Sequence, residues 1–397
     1  MNIGRNKKTY LIYILVLSLL LPFILSALSP VAYATSSLEE SSDSWLKGII
    51  FLILSFIINN IVADDSSGDE KSDGKIGDTP LIDQKDNKYE VLGFYVNWIT
   101  KYADSQKAVK ENYKNMDMVV PFWYTVNTDG SISNRYGGHQ YELASLSKNR
   151  DIKMLPLINN SQKNNMALVD PDVRKKAVNN IIDLINKYDY NGINIDFEFI
   201  PEWTRNAYTS FIRQLSQKMP EDKMLTISVF PKIDVPLSLQ GAYDYSALGR
   251  YVDRMVIMTY DNHWSTGPAG PIAPINWVEK NINYAMEYVP PEKIMLGIAN
   301  YGYDWSQTGS AQDLSAKEAV AMAEKYNSEI KWHSTYQTPY FYYWDENNQK
   351  HEVWFENSYS TSFKLNLVKK YDLKGIAIWK LGNSPDKFWE TINEKLR

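Results

Sequence analysis

From Tyr89 onward the chain alternates short apolar runs with helix-length segments. The runs Val91–Val96, Met118–Phe122, Ile152–Ile158, Gly192–Asp196, Met224–Phe230, Arg254–Thr259, Ile294–Ala299 and Gly375–Trp379 have strand length. Asp172–Lys187, Trp203–Lys218, Trp277–Tyr288 and Ser315–Tyr326 fall between them as helices. Strand-then-helix units repeated eight times predict an α/β fold, the closed parallel (β/α)8 TIM barrel. Roughly 75 residues separate the seventh and eighth runs, too many for a plain connection. Within them, Thr338–Trp344 and His351–Phe355 alternate aromatic and polar residues around Asp345-Glu346-Asn347-Asn348. That pattern predicts a hairpin inside a small α+β insertion, at about residues 328–358. The insertion would either wall a groove or act as a lid that only stabilises the barrel. No period of repeat-array length is visible.

Chemistry in such barrels sits at the C-terminal ends of strands. Polar and aromatic residues gather there: Tyr95, Asn97, Trp123, Asn159, Asn160, Glu198, Tyr260, Asp261, Asn300, Tyr301 and Trp379. The fourth run is the most informative, reading Asn191-Gly-Ile-Asn-Ile-Asp-Phe-Glu198. Alternate side chains of a strand share a face, so Asn194, Asp196 and Glu198 point one way and Ile193, Ile195 and Phe197 the other. Neighbouring carboxyls repel as anions, so one tends to keep a proton near neutral pH. A carboxylic acid beside a carboxylate is the pairing used to cleave glycosidic bonds.

Composition narrows the classes. Hydrophobic residues make up 44% of the 397, enough for a large core. The 12 Trp and 28 Tyr suit sugar stacking and core filling alike. A net charge of −5 argues against nucleic acid as a partner. With no Cys, disulfides, thiolate metal sites and a Cys nucleophile are excluded. The four His, at 139, 263, 333 and 351, are scattered, and no metal or cofactor is expected. Gly68 to Lys75 has the wrong spacing for a phosphate loop.

Residues 1–34 have the form of an export signal: Arg5, Lys7 and Lys8, an apolar run from Tyr10 to about Leu28, then Ala32-Tyr33-Ala34. The same run would also serve as an uncleaved anchor. A second apolar stretch at 45–62 is interrupted by Lys47, Ser55, Asn59 and Asn60, and is borderline for a span. It would associate with a membrane interface or pack on a partner. Residues 64–88 read as a polar, acidic linker, which leaves 89–397 as the catalytic domain. A monomer, exported to a bacterial cell-surface setting, is expected.

The octapeptide ending at Glu198 resembles the Asp-x-x-Asp-x-Asp-x-Glu signature of glycoside hydrolase family 18. Gly93-Phe-Tyr95, Met258-Thr-Tyr-Asp261 and Gly375-Ile-Ala-Ile-Trp379 resemble that family's first, sixth and eighth strands. Leu296 to Trp305, Pro339-Tyr-Phe341 and His351 to Phe355 resemble its spore-cortex-lytic and spore-germination branch, whose LysM repeats are not found here. The resemblance implies a substrate of N-acetylglucosamine-containing glycan, with peptidoglycan ahead of chitin. It implies substrate-assisted retaining catalysis, with Glu198 as acid and base, Asp196 orienting the 2-acetamido group and Tyr260 holding its oxygen. Asp261, Trp379, Tyr95, Asn97, Trp123, Asn194 and Tyr301 are then substrate-binding.

Departures from the signature lie at Asn191 and Asn194, each in place of Asp, and Asn357 stands where the branch often has Asp. An amide at 194 is expected to donate to Asp196, and Asn191 to support the fold. These changes keep open a weakly catalytic, lectin-like barrel that binds the same glycans, beside a chitinase. A scaffold acting through residues 45–62 is a third reading.

Overall fold

The computed structural model describes residues 88–96, 105–160, 165–307 and 311–397. The leader, the 45–62 stretch and the linker up to residue 87 lie outside the described residues. Among those described, no helix is long and apolar enough to cross a membrane.

The barrel strands are β1 (Glu90–Tyr95), β2 (Met118–Val126), β3 (Leu157–Asn160), β4 (Gly192–Asp196), β5 (Met224–Val229), β6 (Arg254–Ile257) and β7 (Ile294–Ala299). The eighth is Gly375–Trp379, labelled β13 below because five lobe strands precede it. Pairing is parallel and closes on itself: Glu90 faces Gly375 on one side of β1, and Leu92 faces Met118 on the other. The expected TIM barrel is therefore present. The third run splits at Pro156, which has no N–H to give a ladder, leaving Lys153–Met154 and β3.

Two core layers follow from strand parity. Leu92, Phe94, Met118, Val120, Leu157, Val256 and Met295 fill the barrel interior. Val91, Ile193, Ile195 and Ile227 face outward onto the helices. The helices are α1 (Ser105–Asn112), α2 (Tyr141–Asn149), α3 (Pro171–Tyr188), α4 (Arg205–Lys218) and α5 (Ile275–Met286). In α3 the sequence writes both ends. The Asp170 side chain accepts from Asp172 N–H and Val173 N–H, Pro171 opens the first turn, and Asp189 stops the helix in a left-handed conformation.

Polar staples at strand starts hold the register. Asp117 accepts from Val91 N–H at 2.7 Å, Asn191 from Met154 N–H at 2.8 Å, and Asp253 from Leu225 N–H at 2.8 Å. An amide oxygen accepts as well as a carboxylate here, so Asn191 supports the fold. Next to it, Gly192 is required: a Cβ there would stand 2.1 Å from the Met224 carbonyl oxygen.

The lobe is an antiparallel sheet of β8 (Gly302–Ser306), β9 (Gln312–Leu314), β10 (Lys331–His333), β11 (Thr338–Trp344) and β12 (Lys350–Phe355). Helix α6 (Ala316–Lys325) covers one face through Ala319, Ala323, Phe341, Val353 and Phe355. Its start is a full capping box between Ser315 and Glu318. The hairpin is where the alternation placed it. The lobe itself begins earlier than residue 328, because Gly302–Ser306 pairs with His351–Phe355. Helices α7 (Ser358–Lys370) and α8 (Phe388–Leu396) flank β13.

Where the lobe rejoins the barrel, Lys364 Nζ lies 2.7 Å from Glu356 Oε2, and both side chains are 1% exposed. Removing one partner strands a buried charge. Lys364→Met is expected to cost about 3–5 kcal/mol in urea unfolding, and adding Glu356→Leu to recover most of it. A single variant as stable as the parent contradicts this.

Candidate active site

β4 delivers its polar face to the barrel mouth. Asn194 and Asp196 point inward, while Ile193, Ile195 and Phe197 pack outward among the helices. Glu198 lies two residues past the strand's end. A cavity of about 170 Å³ opens there, lined by Phe94, Asp196, Glu198, Ser228, Phe230, Met258, Tyr260, Asp261 and Trp379. These residues come from the C-terminal ends of β1, β4, β5, β6 and β13, the face where barrel chemistry is built. Phe94 and Trp379 meet edge to face, with ring centroids 5.5 Å apart.

Three carboxyls share this space. Asp196 is 5% exposed, and its Oδ1 is shielded from solvent with no hydrogen-bond partner. Burial first, and the nearby Glu198 second, raise its pKa well above the usual carboxylate range. Burial, then Asp261, push Glu198 from its ordinary 4.5 up to about 7. Asp261 is exposed by area at the mouth, yet protein crowds it from the other sides, and that burial raises it. The hydroxyls of Tyr301 and Tyr303 pull it back down, donating to Asp261 Oδ1 at 2.5 and 3.2 Å. Burial also raises Tyr260, so its phenol stays a hydroxyl. Such a cluster cannot ionise completely at neutral pH and holds protons in common.

The sequence-derived residues land as follows. Glu198, Asp196, Tyr260, Asp261 and Trp379 meet at the cavity. Tyr301 stands behind Asp261 and orients it. Tyr95 and Trp123 do not reach the cavity: both face the helix layer, Tyr95 4% and Trp123 0% exposed. The physical reason is parity. On β1 the inward residue is Phe94, in line with Leu92, and on β2 it is Phe122, just before a register shift against β3. Asn97 lies outside the described residues. Asn194 does not donate to Asp196. Its Nδ2 donates to Thr226 Oγ1 at 2.9 Å, and its Oδ1 accepts from Ser228 Oγ at 3.2 Å. Asn357 caps α7, accepting from Ser360 N–H at 2.8 Å.

Phe94, Ser228, Phe230 and Met258 were not foreseen as lining residues. The signal for two of them was present: Thr226, Ser228 and Phe230 alternate along β5 just as Asn194, Asp196 and Glu198 do along β4. Among the described residues no cluster of His, Asp and Glu could hold a metal ion.

The family model for glycosyl hydrolases family 18 matches residues 90–384. The cortical fragment-lytic enzyme of Bacillus anthracis is 38% identical over 236 residues, which are 57% of this chain and 54% of that protein. The enzyme of that name from Bacillus subtilis is 32% identical over 270 residues, 64% of this chain and 62% of it. The chain thus spans less than two thirds of the length of either of these relatives. The crystal structure of the Bacillus cereus spore cortex-lytic enzyme SleL superposes with a TM-score of 0.71 at 30% identity, covering 78% of this chain and 75% of that one. A chitinase from Chromobacterium violaceum gives 0.72 at 28% identity, covering 78% and 99%.

Because Glu198 holds its proton more tightly when folded, it stabilises the native state below its ordinary 4.5, and that contribution is lost as pH rises through about 7. Glu198→Gln is expected to flatten this part of the stability–pH curve, measured by urea unfolding. The part of the Asp196 contribution that comes from burial should remain. An unchanged curve contradicts the assigned environment.

Proposed function

We propose that this chain, which belongs to glycosyl hydrolases family 18, cleaves N-acetylglucosamine-containing glycan, with peptidoglycan as the natural polymer. The observation that carries the reading is the unpartnered, buried Asp196 Oδ1 at a cavity shared with Glu198. A buried acceptor without a donor is costly unless a ligand supplies one. The N–H of a 2-acetamido group is such a donor, and it belongs to the one sugar class that carries its own nucleophile.

The steps follow from the residues present. Glu198, protonated over much of the neutral range, gives its proton to the glycosidic oxygen. The acetamido oxygen attacks the anomeric carbon from the opposite face as the leaving sugar departs, closing an oxazolinium ring. Asp196, once ionised, accepts the acetamido N–H and offsets the positive charge. The Tyr260 hydroxyl steadies the acetamido oxygen. Asp261, held by Tyr301 and Tyr303, anchors the ring from the rim, and Trp379 with Phe94 forms an apolar floor. Glu198, now a carboxylate, takes a proton from water, which attacks the same carbon and reopens the ring. Two inversions leave the anomeric configuration retained. Asn194 is an amide bound to Thr226 and Ser228, so it takes no proton from Asp196.

Peptidoglycan is favoured because relatives carrying cortex-lytic names are 30–38% identical to this chain over 57–78% of its length. Chitin stays as the second substrate, supported by the Chromobacterium violaceum chitinase fold. The leader-like residues 1–34 fit an enzyme working outside the membrane.

Glu198→Gln is expected to abolish turnover of peptidoglycan while keeping the fold and glycan binding. In the parent protein kcat/KM should fall as pH rises above about 7, as Glu198 loses its proton. Mass spectrometry of the digest reports the bond cut. Turnover by the Gln variant at the parent rate refutes the role of Glu198.

A further inference from the structure

Strands β3 and β4 stop their register at Asn159 opposite Asp196. Glu198 lies two residues beyond, where a chain leaving a sheet loses its ladder partners. The Asn160 side chain supplies both. Its Oδ1 accepts from Glu198 N–H at 2.8 Å, and its Nδ2 donates to the Glu198 carbonyl at 2.8 Å. One planar amide thus stands in for the peptide of a neighbouring strand, acceptor and donor together. The two bonds also set the orientation of that amide without ambiguity. Asn160 is itself anchored: it is 8% exposed and its backbone is in register with Val126 of β2. The adjacent Asn159 is turned elsewhere, onto Thr125.

The residues around Glu198 explain the need. On one side the Tyr243 hydroxyl donates to the Phe197 carbonyl at 2.7 Å, from a ring wholly buried against Tyr208 and Phe230. On the other side Phe199 adopts a left-handed backbone, φ 53°, and is half exposed. A non-glycine residue keeps that conformation only when its surroundings enforce it. The chain therefore bends sharply straight after Glu198, and the Asn160 clamp grips the residue that the bend would otherwise swing.

We propose that Asn160 is a positioning residue for Glu198: its side-chain amide, in place of a strand ladder, fixes the Glu198 backbone and so the aim of its carboxyl over the cavity. The inference rests on the reading of Glu198 as the acid and base. Asn160 itself touches no substrate in this account. Its effect runs through the placement of Glu198 among Asp196, Tyr260 and Asp261.

The test uses the full chain and a fluorogenic probe, 4-methylumbelliferyl N,N′-diacetyl-β-chitobioside, with circular dichroism and thermal midpoints confirming the fold of each variant. Asn160→Ala should lower kcat roughly 10- to 100-fold with KM nearly unchanged, as expected when a catalytic group is displaced by about 1 Å. Asn160→Asp gives the specific signature. A protonated Asp keeps an acceptor and an O–H donor in the places of the amide, whereas an ionised one loses the donor and adds a charge. Its kcat relative to the parent should recover as pH is lowered toward about 4–5. A folded Asn160→Ala with parental kcat, or an Asn160→Asp with the parental pH profile, overturns the proposal. No turnover by the parent of either the probe or peptidoglycan, or full turnover by Glu198→Gln, counts instead against the acid–base reading. In that case the ¹³C NMR titration of the Glu198 carboxyl still decides: it should shift in Asn160→Ala, and an unmoved titration overturns the clamp.

Discussion

Burying carboxyl groups together without giving each a partner is the constraint on which this structure turns. In water Asp196 and Glu198 would both be anions. At the mouth of the barrel, burial raises both, and their neighbours raise them further. The result is an acid available at neutral pH beside a buried acceptor waiting for a donor. Neither property belongs to a residue alone. Both come from the place where β4 ends and from what closes over it.

The rest of the molecule holds that crowding in place. Carboxylate and amide staples at Asp117, Asn191 and Asp253 lock neighbouring strands in register, and the closed ladder leaves no edge to fray. The inner layer fills the barrel beneath the site with Leu92, Met118, Val120, Leu157 and Met295, which denies the carboxyls water from below. The lobe reaches in through the segment that starts it, since Tyr301 and Tyr303 fix Asp261. Through Tyr303 it therefore contributes to the rim of the site.

Most of the barrel was legible because each strand is a compact apolar run bounded by turns: seven runs became single strands with ends shifted by a few residues, and the third split at Pro156. The start of the lobe was not legible. Gly302–Ser306 follows β7 almost without a break, and its partner strand lies some fifty residues downstream, a pairing that no local pattern reveals. Within the site, alternation along β4 put Asp196 and Glu198 on one face, and both line the cavity, since one strand fixes its own parity. Tyr95 and Trp123 do not line that cavity, because a conspicuous aromatic says nothing about which way its strand faces, and β2 changes register beside Trp123. The hydrogen bonds of Asn194 depended on Thr226 and Ser228, two side chains of the next strand. Asn160 stood out only as one of the polar residues at strand ends, and its grip on Glu198 depends on geometry beyond the end of a ladder.

The central claim is that the sugar's own acetamido oxygen attacks, guided by Asp196, while Glu198 moves the protons. Proton NMR of the first product released from a β-linked N-acetylglucosamine oligomer tests it most directly, read before the anomers equilibrate. The account predicts the β-anomer first, with mutarotation to α afterwards. An α-anomer formed first would mean direct displacement by water, and the acetamido-assisted mechanism would be wrong.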